Sequence, residues 1–186
     1  MNISVKEIVC EAAQVLGLSE WVNSYLNGEE SAVGQRDTEI LIECFNRVQN
    51  EVALDYLPLI ESELLRTETG KIPYSSLIKP AIRILQVKNE KGELAAFKLY
   101  PDFLETEKGK LEVYYTYSPA EQTIEGVCEY GAEVPKRLFV YGMAAEYSLI
   151  AGELEAAGVW DKKYKDAINA VYKLPPAKKL RSRRWV

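Results

Sequence analysis

Two hydrophobic periods alternate along this 186-residue chain. From Ser4 to about Leu57 apolar residues recur every three or four positions, the spacing of one helix face. From Ser62 to Tyr117 they alternate with polar ones, the spacing of a half-buried strand. From Val134 to Tyr172 the helical spacing returns. The first stretch predicts three helices. Ser4-Val5-Lys6-Glu7 is a capping box that starts a helix at Val5, with Ile8, Val9, Ala12, Ala13 and Leu16 inward and Gly17 as its stop. Ser19 caps a short helix over residues 20–26 with Trp21, Val22 and Tyr25 inward. A polar loop over residues 27–34 follows, and Asp37 or Thr38 caps a long third helix that runs to about Leu57. Its face is Ile40, Leu41, Cys44, Phe45, Val48, Val52 and Tyr56.

The middle stretch predicts an antiparallel sheet. Residues 62–68 form a strand. Residues 81–88 and 93–99 form a hairpin through Asn89-Glu90-Lys91-Gly92, and residues 103–107 and 111–117 form a second through Lys108-Gly109. Pro73, Pro80 and Pro101 fall between strands, where a missing N–H donor is tolerated. Residues 118–135 read as a long Glu-bearing loop. The last periodic stretch predicts a helical hairpin that turns at Ala151-Gly152. Leu138, Tyr141, Gly142, Ala145 and Leu149 share the inner face of its first helix, and Pro135 suits the first turn. Ala156, Trp160, Tyr164, Ala167 or Ile168, and Val171 line the second.

The expected class is therefore α+β: a helical bundle interrupted by a small antiparallel β-sheet insert, with an extended C-terminal tail. Residues 1–61 and 134–172 make the helical domain, 62–118 the sheet subdomain, 119–133 an acidic loop and 173–186 a basic tail. This length buries a sufficient core without disulfides or metals. No apolar run reaches the ~20 residues of a membrane span, and the first residues lack the pattern of a signal peptide. Cys10, Cys44 and Cys128 are far apart and read as free thiols in a reducing compartment.

Charge changes the picture more than composition does. The net charge is −5, with 23 basic and 28 acidic residues. Lys173 to Val186 holds six of the bases (Lys173, Lys178, Lys179, Arg181, Arg183 and Arg184) and no acid. Residues 1–172 keep 17 bases against all 28 acids. An acidic body with a basic end is a pattern for electrostatic docking. Pro175-Pro176 ends the helix and favours an extended chain, while Leu180 and Trp185 can serve as apolar anchors.

Candidate chemistry is sparse. The chain has no histidine, which removes the commonest general base and metal ligand. It has no phosphate-binding glycine loop, nucleophile elbow or zinc spacing. Glu121, Glu125, Glu129 and Glu133 are spaced by four, but Gly126 and Gly131 oppose a helix there. A solvated acidic loop is the preferred reading over a divalent-metal site, and a carboxylate hydrolase the least favoured function. Tyr114, Tyr115 and Tyr117 could stack nucleic-acid bases, but flanking Glu residues repel phosphate and favour a packing role. The basic tail fits either a protein partner or DNA. The Pro-Pro pair and the terminal Trp favour protein.

Residues 141–168, YGMAAEYSLIAGELEAAGVWDKKYKDAI, follow a Tyr-rich strand and an acidic loop that ends in Val134-Pro135. Residues 41–59, LIECFNRVQNEVALDYLPL, lead from a long helix into that sheet. Together these segments resemble the head-to-tail adaptor proteins of tailed bacteriophages, the tail tubular A type among them, over most of residues 38–172. The resemblance implies a non-enzymatic virion protein at the head–tail interface. Its copies form a homo-oligomeric ring, a dodecamer in the family, between the portal and a tail or nozzle protein. DNA is only passing cargo, and no membrane or cofactor is involved. The resemblance also implies that Lys178, Lys179, Leu180, Arg181, Arg183, Arg184 and Trp185 dock on the portal. The alternative function is a nucleic-acid-binding module that uses the same basic tail.

Overall fold

The computed structural model describes residues 3–131 and 134–172. The fold is α+β, with five α-helices among the described residues and a set of antiparallel strands placed between the third helix and the fourth. The described residues of 1–48 and 122–186 form one compact unit, and residues 49–121 form a second.

The helical unit starts where local chemistry says it should. α1 spans Val5–Leu16, and Ser4 Oγ accepts the Glu7 N–H. α1 ends at Gly17, whose left-handed backbone (φ 75°) lets Gly17 N–H reach Gln14 O and Leu18 N–H reach Ala13 O. α2, Ser19–Leu26, buries only Val22, and Trp21 lies exposed rather than inward. α3, Ala32–Glu51, begins earlier than Asp37 or Thr38. Ser31 Oγ takes the Gly34 N–H at 3.0 Å and so caps the first turn from within the polar segment. Thr38 Oγ1 instead donates to Gly34 O, and Asp37 accepts the Tyr147 hydroxyl. Leu41, Cys44, Phe45 and Val48 are buried, as the periodicity predicts.

α4, Lys136–Ile150, is the central helix of this unit. Pro135 stands just before it with an extended backbone, and not within its first turn. More than half of α4 is buried, from Leu138 through Ser148. A helix buried on this much of its circumference has neighbours on several sides, and α1 and α5 both lie against it. Phe139 anchors an aromatic cluster with Phe45 and Tyr130, at ring-centroid separations of 5.8 and 5.7 Å. α5, Leu154–Tyr172, returns alongside α4 with Ala157, Tyr164, Ala167 and Ile168 buried.

The α3 helix widens into a π-turn at Val52–Tyr56 before Pro58, and β1 follows at Leu59–Thr67. β7, Gly109–Tyr117, is the middle of the main sheet. It pairs with β1 over nine residues and on its other side with β3, Ala81–Asn89. β4, Leu94–Ala95, extends β3 through the Asn89–Gly92 turn, giving the order β1-β7-β3-β4. That turn forms as expected: Asn89 Oδ1 accepts the N–H of Lys91 and of Glu93, and Gly92 takes φ 78°. A smaller sheet joins β2 (Lys71–Pro73), β6 (Phe103–Glu105) and β5 (Lys98–Leu99).

Two expected hairpins differ in the structure. Residues 93–99 are not one strand. They break after Ala95 into β4 and β5, which belong to different sheets. Residues 103–107 do not pair with 111–117. β6 is only three residues long, whereas β7 finds nine-residue partners in β1 and β3. Longer ladders satisfy more backbone groups. The inner face of the main sheet, with Ile84, Val87, Leu111, Val113, Tyr115 and Tyr117, shares one core with Ile72, Leu77 and Leu104. Glu63 is buried among them.

Candidate docking surfaces

The residues assigned to docking by the sequence, Lys178, Lys179, Leu180, Arg181, Arg183, Arg184 and Trp185, lie outside the described residues. So does Glu133 of the acidic series. The rest of that loop is tied down by backbone and side-chain bonds. Asn46 Nδ2 donates to Gln122 O while Asn46 Oδ1 accepts Gln122 N–H, and Val5 N–H and Cys128 N–H donate to Gly126 O and Ile3 O. Glu121 and Glu125 point outward and Glu129 is half-buried. Among the described residues no three His, Cys, Asp or Glu side chains gather in a way that could hold a metal ion. No helix among them is long and apolar enough to cross a membrane.

Several buried titratable groups are held neutral. Burial, and then the charge of Glu146, pushes the Cys44 thiol up to about 12. A thiol held protonated packs as a small apolar group and is a poor nucleophile. Burial, and then the hydrogen bond to Glu63, raises the Tyr115 hydroxyl to about 12. That hydroxyl donates to Glu63 Oε1, which also accepts the Ile78 N–H at 2.9 Å. Glu63 thus has two donors on one oxygen beneath the sheet, which is how a buried carboxylate is tolerated. Burial, then Asp37 by charge and hydrogen bond, raises Tyr147 to about 12 as well. The hydrophobic pattern gives no signal for either tyrosine–carboxylate pair, because Asp37 reads as a helix cap and an acidic side chain within a strand, such as Glu63, carries no mark of burial.

The exposed apolar side chains are more informative. In the helical unit Val15, Trp21, Val33 and Val127 are exposed, and the remaining exposed apolar side chains lie at or just after the turn between α4 and α5. Gly152 (φ 80°) closes α4, with its N–H on Leu149 O and Glu153 N–H on Ser148 O. This closure leaves Leu149, Ile150, Leu154 and Val159 exposed, Leu154 by 71%. Leu149 was expected on the inner face. The last buried residue on the row of Leu149 is Ala145, one turn earlier, and the buried face of α4 ends at Ser148. Glu153 and Glu155 flank Leu154 in sequence and are exposed, and Arg47 is shared between Glu43 and the half-buried Glu146.

In the sheet unit a second apolar set lies on the outer face. The register places Leu64, Glu112, Lys88 and Leu94 side by side across all four strands. The two leucines are exposed by 82% and 73%. In the adjacent row Ser62, Tyr114 and Gln86 align, with Lys88 Nζ 4.6 Å from the centre of the Tyr114 ring. Ile60 continues the exposed edge of β1. Scattered surface leucines are ordinary, but exposed apolar side chains close together at one turn mark a candidate interaction surface; on the sheet face Glu112 and Lys88 lie between the two leucines. No protein-family model matches this chain, and no curated protein matches it.

Proposed function

We propose that this chain is a non-enzymatic structural protein of a virion, a head-to-tail adaptor. Its copies close into a ring between the portal and a tail or nozzle protein and continue the DNA channel. One observation carries the reading. Each of the two units has its own exposed apolar surface, the helical tip in one and the outer sheet face in the other. A ring component needs separate surfaces for its own copies and for the layers above and below. The resemblance of residues 38–172 to phage adaptors supplies the partners. The excess of acids in residues 1–172 suits a conduit that must pass DNA without holding its phosphates. The test is the mass of the full-length chain alone and mixed with a portal ring. A closed oligomer in either case supports the reading, and a monomer that ignores the portal refutes it.

A second reading rests on the run of bases in residues 173–186. As a nucleic-acid-binding module the chain would bind duplex DNA with an affinity that falls steeply with salt. An electrophoretic or anisotropy titration at low salt decides it, since the adaptor reading expects no such binding.

A further inference from the structure

We infer that the α4–α5 tip is the seat of residues 173–186 from a second copy of this chain. This inference rests on the ring reading and names the contact that joins neighbouring copies. The tip presents Leu149, Ile150 and Leu154 to solvent on either side of the tight turn, with exposed Glu153 and Glu155 flanking Leu154 in sequence; Glu146, one turn back on α4, is paired with Arg47, which also meets Glu43. A matching occupant has apolar anchors set among positive charges. Residues 173–186 fit that description: Leu180, Trp185 and Val186 stand among six Lys and Arg with no acid. Apolar anchors carry the affinity of such a contact, and the opposed charges steer it and set its register.

The path favours the neighbour's tip over the chain's own. The segment starts after Tyr172, at the far end of α5 from the tip. The 19 residues of α5 set these ends apart by ~28 Å at 1.5 Å per residue. Fourteen extended residues span at most ~48 Å, so reach alone permits either tip. To reach its own tip, however, the segment must double back along α5. There it passes exposed Lys162, Lys163 and Lys165; Lys165 is paired with Asp161 at 2.6 Å, and Lys162 and Lys163 stand against Asp166 alone, leaving the stretch with one net charge of the segment's own sign. Docking on a second copy avoids that path. An end that binds a different surface on the next copy is a heterologous contact, which closes into rings when the rotation allows.

The experiment uses three full-length chains: the wild type, Leu154→Asp at the tip, and Leu180→Ala with Trp185→Ala in the segment. Mass photometry over a concentration series reads assembly at low and high salt. Circular dichroism checks that each chain is folded, and Glu153→Lys with Glu155→Lys replaces Leu154→Asp if that variant is not. The wild type is expected to assemble, more weakly at high salt, and each variant at least tenfold more weakly. A one-to-one mixture of the two variants keeps one intact tip and one intact segment, so it is expected to give a species of two chains. Variants that assemble like the wild type leave the ring reading standing and overturn this contact. So does a segment variant that assembles normally but loses portal binding, which places the segment on the portal instead. A mixture that stays monomeric overturns docking between copies. A wild type that is monomeric alone also overturns it, and leaves the ring reading to its own test with the portal.

Discussion

At Gly142 a Cβ would stand 2.7 Å from Val48 Cγ1 and 3.1 Å from Tyr164 Cε2. The three helices α3, α4 and α5 meet there at a separation only glycine permits. Gly142→Ala is expected to destabilise the chain by ~1–3 kcal/mol, the usual cost of overpacking a filled core. Gly34 is tighter, because its neighbour is the Trp21 carbonyl oxygen, 2.2 Å from the ideal Cβ position. Backbone cannot rotate away as a side chain does, so Gly34→Ala is expected to cost more than Gly142→Ala when both are measured by urea denaturation. Titration adds a pH prediction. Cys44, Tyr115 and Tyr147 each have a folded pKa raised to about 12, from 9.0 for the thiol and 10.0 for the phenols. Between the two values the native state holds protons that the unfolded chain has released. Their contribution to stability is complete below pH 9 and is lost as the pH rises towards 12. Denaturation midpoints should therefore fall over that range, and Tyr115→Phe should flatten the fall while lowering stability at neutral pH. The neutral-pH loss follows because Glu63 would then keep only the Ile78 N–H of its two donors.

At the scale of elements, Gly152→Ala tests the helical hairpin. A Cβ at φ 80° meets no neighbour but is strained by the backbone itself, so ~1–2 kcal/mol should be lost with assembly otherwise intact. Features of this local kind were legible in the sequence. Ser4, Gly17, Gly152 and the Asn89–Gly92 turn work through bonds that reach only a few residues. The alternation of Leu111, Val113, Tyr115 and Tyr117 in β7 likewise shows which side chains face the core. Pairing was not legible in the same way. Nothing local says that β7 should choose β1 and β3 over β6, because that choice depends on the lengths of strands far away in sequence. The start of α3 was missed because Ser31 lies in a polar run where several residues look able to cap. Leu149 shows the same limit at the candidate site. Its spacing assigns it to a face, but the neighbour on that face ends one turn before it, and the exposed tip follows from that ending. The basic segment was legible as a run of charge ending in Trp185, and it lies outside the described residues.

At the scale of the whole molecule, the account joins two units with separate apolar surfaces to a terminal run of positive charge. Such a chain is suited to assembly. In the ring proposed above, many modest contacts would act together. On the proposed seating of residues 173–186, salt is expected to weaken that contact and spare the apolar ones. The most direct test of the central claim is the mass of the full-length chain by sedimentation equilibrium, alone and in the presence of a portal ring. The adaptor account predicts a closed oligomer of defined copy number, formed by the chain itself or on the portal. A chain that sediments as a monomer in both samples would contradict it.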